Sequence, residues 1–239
     1  IQSIYGPDGL ALAAVVIAAM IPVTNILCVI VLVRWGADQR EMSPLALTPA
    51  FAKDPDAMAW LWKDHTGHAE AAEITALAKK IRPQYLAKCG GTYSSEWFWS
   101  KILRCQRAAP KVFKAAYTWV EHADWIPALL TGTDHPSTLK RGICAAGHKA
   151  MFNPAWGGYP DAKFLAKLDP ELAALRKTLP DRAYTVADAA GGLTDAWAKC
   201  LGLTAGIPVA VSAIDAHLGA VGSGIKTGTV VKIIGTCTC

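Results

Sequence analysis

One interval near the N-terminus constrains this chain more than any other feature. No charged residue occurs between Asp8 and Arg34, and residues 10–33 are almost wholly apolar. At a rise of about 1.5 Å per residue, a helix of this length would span the roughly 30 Å hydrocarbon core of a bilayer. Pro22 interrupts the run, which membrane helices tolerate when neighbours satisfy the freed backbone groups. The sequence therefore predicts a hydrophobic helix over residues 1–36 that could enter a membrane through residues 10–33.

The charges that flank this segment predict its orientation. Asp8 precedes it, whereas Arg34 and Arg40 follow it, and the positive-inside tendency would keep the rest of the chain in the cytoplasm. A buried core helix of a soluble domain is the alternative, although such a helix seldom lacks a polar face over so many turns. The segment also resembles a helix of auxin-efflux-carrier-type permeases. Since one permease helix cannot transport anything, a gene fusion or an assembly artefact is a further explanation.

Composition and charge narrow the function classes for the remainder. The chain has 239 residues, of which 52% are hydrophobic and 18% charged, so it can bury a sizeable core and is not of the disordered type. Its net charge of +5 comes from scattered lysines and arginines, which argues against a nucleic-acid partner. The seven cysteines are irregularly spaced, and Cys237 and Cys239 match neither zinc nor redox spacing. We therefore expect a reduced, cytoplasmic protein.

The pattern after the polar joint at residues 37–42 is mixed α/β. Apolar residues at helical spacing alternate with short β-branched or continuous apolar runs. The predicted elements are helices over residues 57–80, 94–103 and 115–130, and strands over residues 207–211 and 229–234. An exposed β-branched strand at 229–234 would also be an aggregation site.

Asp215 is the first candidate for chemistry. It follows the short apolar run at residues 207–211, and open α/β sheets bind their ligands at the carboxyl ends of strands. A carboxylate there could orient a hydroxyl group or take its proton as attack begins. The alternative is a structural role as a helix N-cap, for which aspartate is equally suited.

Two weaker signals concern phosphate and metal. Gly235 and Thr236 follow the predicted strand at 229–234, and a glycine lets backbone N–H groups approach a phosphate; a tight turn at a strand end uses the same residues. His65 and His68 lie three residues apart, a spacing compatible with one face of a helix. Because no third ligand is evident, we expect no metal site there.

Lys149 and the pair Glu96–Trp97 have the chemistry that a sugar requires. Lys149 is a cationic donor flanked by small residues and His148, although a solvated surface lysine is more common in general. Glu96 and Trp97 combine a hydrogen-bonding carboxylate with a flat apolar ring, which suits sugar hydroxyls and C–H faces. A core tryptophan beside a surface glutamate explains the pair equally well.

Several segments together carry a resemblance to a known family. They are LWKDHT (61–66), GGTYSSEWFWSKIL (90–103), AGHKAMF (146–152), WGGYP (156–160), IDAHLGAVG (214–222) and the terminal GTCTC. In this order and spacing they resemble the FGGY carbohydrate kinases, and within them the ribulokinase group, over about four-fifths of the chain. The resemblance implies a two-domain fold of the actin-like, ribonuclease-H-like type, of which this chain would hold a part.

The resemblance also implies roles for individual residues. Asp215 would be the catalytic aspartate that activates the terminal hydroxyl of the sugar and also contacts it. The residues expected to contact the ketopentose are Thr66, Glu96, Trp97 and Lys149, and those expected at the nucleotide phosphates are Gly235 and Thr236. The implied reaction transfers the γ-phosphoryl group of ATP, with Mg²⁺, to L-ribulose to give L-ribulose 5-phosphate. SSEW and GHK are the segments that favour ribulose over the glycerol, xylulose or gluconate specificities of neighbouring kinases.

The chain departs from the family pattern at both ends. We expect residues 43–206 to form the sugar-binding domain without its first strands, and residues 207–239 to begin a truncated nucleotide-binding domain. The Asp-Gly-Thr/Ser-type phosphate turn that opens the family is replaced by the hydrophobic segment, so we expect the chain alone to be inactive. A membrane-anchored or permease-derived chimaera and a non-catalytic sugar-binding fragment are the alternatives, and a homo-oligomer is possible.

Overall fold

The computed structural model describes residues 29–35 and 42–234. The strands are β1 (Val29–Trp35), β2 (Met42–Pro44), β3 (Trp60–Leu61), β4 (Thr118–Glu121), β5 (Ala189–Gly192) and β6 (Pro208–Ala210). The helices are α1 (His68–Ile81), α2 (Phe98–Ala108), α3 (Pro110–Ala115), α4 (His122–Thr131), α5 (Ile143–Lys149), α6 (Ala162–Leu168), α7 (Pro170–Arg176), α8 (Asp195–Leu201) and α9 (Asp215–Gly222). This mixture confirms the predicted α/β class.

Strand β1 organises the larger sheet. It runs antiparallel to β4, with Leu32 opposite Trp119, and it pairs with β2 near its carboxyl end and with β3 near its amino end. The helix predicted for residues 1–36 is therefore wrong for Val29–Trp35. Valine and isoleucine favour extended backbone, and three partner strands satisfy the backbone groups of β1.

The remaining predictions for the N-terminus fall on residues that are not described. Residues 1–28 and 36–41 lie outside the described ranges. The amino-terminal part of the predicted hydrophobic helix, its likeness to a permease helix and most of the joint at 37–42 therefore remain predictions. Within residues 29–35 and 42–234, no helix is long and apolar enough to cross a membrane.

The predicted helix at 57–80 begins later than expected. A 3₁₀ turn at Pro55–Ala57 and strand β3 occupy its first part, and α1 starts only at His68. Trp60 and Leu61 pair with β1, so their backbone groups are bonded across the sheet instead of along a helix. Local helical spacing was overridden here by sheet pairing.

The segment at 115–130 also divides into a strand and a helix. Thr118–Glu121 form β4, a fully buried strand, and α4 follows from His122. The predicted end of the helix is confirmed, because Gly132 lies in the left-handed region with φ of 64° and closes α4. Trp119 and Val120 suit a buried strand better than a helix, since aromatic and β-branched residues pack well on a pleated surface.

The main hydrophobic core lies between the larger sheet and helices α1, α2, α6 and α7. Its fully buried large side chains include Phe98, Trp99, Ile102, Leu103, Trp119 and Phe164. Helix α2 contributes most of them, and its N-cap is Trp97 instead of the serines at 94 and 95. This core fixes α2 and β4, the two elements that carry the first residues of the candidate site.

A smaller hydrophobic cluster surrounds strands β5 and β6. Strands β5 and β6 pair antiparallel, and Val209 of β6 packs with Leu130 and Leu193. The predicted strand at 207–211 is thus confirmed in its central part. Residues 229–233 join no strand, in contrast to the strand predicted there, and Val230 is 94% exposed. The domain boundary between residues 206 and 207 stays a prediction, although β6 pairs back onto β5.

Candidate functional site

Lys149 and Glu121 form the charged centre of the candidate site. Lys149 is the last residue of α5, and its Nζ lies 3.2 Å from Oε2 of Glu121, the last residue of β4. The carboxylate side chain of Glu121 is only 6% exposed, whereas the side chain of Lys149 is 18% exposed. The hydroxyl of Tyr93 donates to the carbonyl oxygen of Lys149, so the lysine is held at both its backbone and its ammonium group.

Aromatic rings pack beside this pair. The ring of Trp97 lies 5.1 Å from the ring of Tyr93 and 5.1 Å from that of His148, edge-to-face in both cases. Two residues further on, the indole Nε1 of Trp99 donates to the carbonyl oxygen of Ala150 at 2.9 Å. These contacts fasten the start of α2 to the end of α5, which brings the half-buried Trp97 next to Lys149.

Lys101 is a second buried lysine in this region. Its Nζ donates to the carbonyl oxygens of Leu61 and, at 3.2 Å, Asp64, which fixes the loop that leads from β3 to Thr66. The pKa of Lys101 is lowered to about 8, chiefly by burial and also by the positive charge of Lys149, while the negative charges of Asp64 and Glu121 oppose the shift. The ammonium of Lys101 therefore positions a loop beside the site instead of facing solvent.

Glu96 and Thr66 lie on the rim of the site. His65 connects them: its Nδ1 is 2.9 Å from the hydroxyl of Ser95, and its Nε2 is 3.7 Å from Oε1 of Glu96. The backbone N–H of Thr66 donates to Asp64 at 2.8 Å, and the residue is exposed. His65 therefore contacts a carboxylate and a hydroxyl group; among the described residues, no group of three or more His, Cys, Asp or Glu side chains could hold a metal ion.

Asp215 begins helix α9. Ile214 is the N-cap, and the carboxylate of Asp215 accepts the N–H of Ala216 at 2.9 Å, so Asp215 does not cap the helix as the structural alternative proposed. A negative charge in the first helical turn is stabilised by the helix dipole. The side chain is exposed, which leaves its carboxylate accessible to a ligand.

Helix α9 contacts α5 through a cysteine and two histidines. Nδ1 of His217 lies 2.9 Å from Sγ of Cys144, and the backbone N–H of Ile214 donates to the same sulfur at 3.3 Å. The rings of His217 and His148 meet edge-to-face at 5.1 Å. Through His148 and His217, Trp97 and the end of α5 are connected to helix α9, whose first residue is Asp215.

The protonation of His148 follows from its surroundings. Burial lowers its pKa to about 4, and the charges of His217 and Lys149 act in the same direction. The imidazole is therefore neutral near pH 7 and can lie between Trp97 and His217 without adding a third positive charge to the site.

The buried carboxylate of Asp124 connects the segment before α5 to the segment before α9. Oδ1 of Asp124 accepts hydrogen bonds from the hydroxyl of Ser212 at 2.6 Å and from the backbone N–H of Gly142 at 2.8 Å. Gly142 directly precedes α5, and Ser212 lies three residues before Asp215. A Cβ on Gly142 would come within 2.7 Å of the carbonyl oxygen of Ser212, so only glycine permits this approach. Burial raises the pKa of Asp124 to about 6.

The structure thus groups some of the predicted residues and leaves others apart. Trp97 and Lys149 lie where α2 meets α5, and His148 connects this place to α9, the helix that begins with Asp215, while Glu96 and Thr66 lie on the rim. Gly235 and Thr236 lie outside the described residues. Sequence reasoning missed Glu121, Lys101, Tyr93, Asp124, Cys144 and His217. A signal for Glu121 was present, because it follows the β-branched and aromatic run TWV and so stands at a strand end.

The fold around this site is that of the actin-like FGGY sugar kinases, as solved structures show. A xylulose kinase from Bifidobacterium adolescentis matches with a TM-score of 0.63 at 17% identity, covering 89% of this chain and 44% of that one. A xylulose kinase from Rhodospirillum rubrum matches with a TM-score of 0.59 at 24% identity, covering 83% and 35%. These likenesses confirm the predicted fold.

Sequence comparison names the particular group. A ribulokinase from Vibrio parahaemolyticus is 48% identical over 196 residues, covering 82% of this chain and 35% of the relative. One from Shouchella clausii is 41% identical over 198 residues, covering 82% and 34%. No family model matches the chain. Over four-fifths of its length the chain is homologous to ribulokinases, as predicted, and it spans about a third of the length of these curated relatives.

Proposed function

We propose that this chain supplies the sugar-binding part of an ATP-dependent kinase that phosphorylates a ketopentose, with L-ribulose as substrate and L-ribulose 5-phosphate as product. One observation carries the proposal: ring contacts connect Trp97 through His148 to His217 on α9, the helix that begins with Asp215, in a chain 48% identical to a ribulokinase. The ribulokinase relatives favour this function over a membrane-anchored or permease-derived chimaera.

Each side chain has a role that its chemistry allows. The ammonium of Lys149 donates hydrogen bonds to sugar oxygens, and the ring of Trp97 covers an apolar face of the sugar. Glu96 and Thr66 add polar contacts on the rim. The exposed carboxylate of Asp215 orients the terminal hydroxyl and accepts its proton as the oxygen attacks the γ-phosphorus. Positioning of this kind carries much of the catalysis in phosphoryl transfer.

Residues other than those of the sugar site would contact the nucleotide. Gly235 and Thr236 remain candidates for contact with the ATP phosphates. Mg²⁺ usually binds through one or two carboxylates together with substrate phosphates, and the described residues hold no group of three or more His, Cys, Asp or Glu side chains that could hold a metal ion by itself. We therefore assign no step to the ion, and Asp215 is given only the role of orienting and deprotonating the sugar hydroxyl.

The test begins with sugar binding to the full chain. Isothermal titration calorimetry should show binding of L-ribulose and weaker binding of D-xylulose, gluconate and glycerol. Lys149→Met should raise the Kd for L-ribulose about 10- to 100-fold, because it removes hydrogen bonds from a charged donor. Lys177→Met, at a lysine that follows α7, is the matched control and should leave the Kd unchanged. Absence of binding by the wild-type chain would overturn the proposal.

A second experiment addresses catalysis. A coupled ADP-release assay with L-ribulose and ATP would compare the chain with its Asp215→Asn variant. If the carboxylate takes the proton, any turnover of the wild type should fall at least about 100-fold in the variant, within the range of general-base effects. Equal turnover of the two proteins would exclude Asp215 as the base, whereas calorimetry would still report sugar binding.

A further inference from the structure

Glu121 carries a buried oxygen to which no described residue forms a hydrogen bond. Its Oε2 contacts the ammonium of Lys149, whereas its Oε1 is buried and has no hydrogen-bond partner within the part of the chain that the structure describes. A buried carboxylate oxygen without a partner is unfavourable, because the charge has lost its water and gained nothing in return. Such an atom in a folded protein calls for an explanation, and a ligand hydroxyl is one of them.

Glu121 does not perform the usual structural role of an N-cap side chain. Glu121 is the N-cap residue of α4, yet its side chain makes no hydrogen bond to the first turn of that helix. The carboxylate instead faces Lys149, and its charge also acts on Lys101 and on the buried hydroxyl of Tyr93. The side chain is therefore oriented by the candidate site and not by the helix that it precedes.

A comparison within the chain shows what makes Glu121 special. Glu70 is equally buried at 4% exposure and also contacts a cation, Arg107 at 3.7 Å. One of its carboxylate oxygens is likewise buried without a partner among the described residues. Its partner is a half-exposed arginine that pairs with Glu73 as well, on the α1–α2 face. An unpartnered oxygen alone is thus insufficient to define a site. Glu121 differs because its cation is the lysine that stands among Trp97, His148 and Tyr93.

We propose that Glu121 is a further substrate-binding residue: its Oε2 holds the ammonium of Lys149 in place, and its Oε1 accepts a hydrogen bond from a sugar hydroxyl. The inference rests on the proposed function. Because the two oxygens share one carbon, Oε1 stands beside the ammonium. A donor and an acceptor side by side suit adjacent oxygens of a polyhydroxylated ligand, in which one oxygen accepts from Lys149 and the next donates to Glu121.

Glu121→Gln tests whether Oε1 accepts a hydrogen bond from the sugar. The amide keeps the size of the side chain and one acceptor oxygen for Lys149, and it places an N–H₂ group where Oε1 stood. If Oε1 receives a ligand hydroxyl, the Kd of the full chain for L-ribulose should rise about 10- to 100-fold by calorimetry. Glu70→Gln, the matched control, should change the Kd by less than about 2-fold, because Glu70 contacts Arg107 and not Lys149.

A series of monodeoxy analogues of L-ribulose separates contact with the ligand from a structural role. The analogue that lacks the hydroxyl bound by Oε1 should bind wild type as weakly as L-ribulose binds Glu121→Gln. For that analogue, the variant should cause no further loss of affinity. The other analogues should still bind the variant less tightly than wild type. An equal loss for every analogue would show that Glu121 acts only through the shape of the site, and would overturn the inference.

The outcomes for the two proposals are distinct. If wild type binds no ketopentose, the proposed function and this inference both fail. If wild type binds L-ribulose and Glu121→Gln binds it equally well, the inference alone fails. Should the variant not fold, a crystal structure of the wild-type chain with L-ribulose decides: a sugar hydroxyl within hydrogen-bonding distance of Oε1 supports the inference, and a water molecule alone at that position overturns it.

Discussion

Lys149 and Asp215 stand on helices that are packed to very different degrees. Helix α5, which carries Lys149, buries Ala145 and Ala146 and is held to α2 by the bond from Trp99 to Ala150. Helix α9, which carries Asp215, has no buried residue, and its Leu218 and Val221 are 42% and 67% exposed. The side of the site that carries Lys149 is therefore part of the core, whereas the side that carries Asp215, the proposed base, is attached to its surface.

This difference has a consequence for stability and motion. Segments with few buried contacts open locally at low free energy, while core elements open only with the whole molecule. We expect α5 to remain ordered under conditions in which α9 already exchanges its amide hydrogens. The attachment of α9 depends on a few polar contacts, those of Cys144 with His217 and Ile214 and that of Asp124 with Ser212.

The largest expected effect comes from the packed side. Trp99 is fully buried and donates to Ala150, so Trp99→Ala should lower the free energy of unfolding by about 3–5 kcal/mol. Urea denaturation measures this loss. Trp197, which is 37% exposed on α8, is the control, and Trp197→Ala should cost less than about 1 kcal/mol. Similar losses for the two variants would contradict the assignment of Trp99 to the core.

The raised pKa of Asp124, which joins the two sides of the site, predicts that the free energy of unfolding depends on pH. Its pKa is raised from 3.8 to about 6 in the folded protein, so the folded state holds a proton that the unfolded state releases. Its contribution is fully present below about pH 3.8 and is lost as the pH rises through about 6. Since one pKa unit corresponds to about 1.4 kcal/mol, the loss is of the order of 3 kcal/mol.

Asp124→Asn isolates this contribution. The pKa of His148 is lowered, so that residue produces a pH dependence of the opposite sign: its stability is present above pH 6.5 and is lost as the pH falls through about 4. The difference between wild type and variant removes the part due to His148. Denaturant unfolding between pH 4 and pH 7 should show the wild type losing its advantage over Asp124→Asn as the pH rises. A difference that does not vary with pH would refute the prediction.

The attachment of α9 is tested by His217→Ala. Loss of the contacts with Cys144 and His148 should cost about 1 kcal/mol or less, because a typical hydrogen bond contributes that much. Hydrogen–deuterium exchange should become faster in α9 and stay unchanged in α5, and the Kd for L-ribulose should change less than about 3-fold. Leu218→Ala, at the next residue of the same helix, is the control and should leave exchange near the wild-type rate. Unchanged exchange in α9 would show that other contacts hold it.

The sequence allowed the prediction of some site residues, whereas residues whose role depends on distant partners were missed. Lys149, Trp97 and Asp215 were predicted from the ordered family-like segments more than from their local patterns, which left structural roles open. The structure connects Trp97 and the end of α5 to the helix that begins with Asp215. Glu121 was missed because residues 115–130 were taken as one helix, which hid the strand end on which it stands. Lys101 was missed because it lies within the apolar face of α2, where its buried bonds to Leu61 and Asp64 depend on a distant loop.

Strand β1 illustrates a physical limit of pattern reading. A continuous apolar run has no period, so it cannot distinguish a buried helix from a buried strand. Ile30–Val33 of β1 pair with β4, which lies almost ninety residues later in the sequence. Such a non-local contact cannot be seen in a local sequence pattern. Tertiary pairing therefore determined what the local sequence left open.

The smallest effect is expected at the exposed end of the weakly packed side. Val230 is 94% exposed, so Val230→Lys should change the free energy of unfolding by less than about 0.5 kcal/mol. It should nevertheless delay aggregation, measured by light scattering on heating, because it breaks an exposed β-branched apolar run with a charge. Val209, which is 4% exposed and packs with Leu130, provides the contrast: Val209→Ala should lower stability by about 1–3 kcal/mol. If Val230→Lys destabilised the chain as much as Val209→Ala, residues 229–234 would have to be packed in solution, and the contrast between the two sides of the site would not hold there.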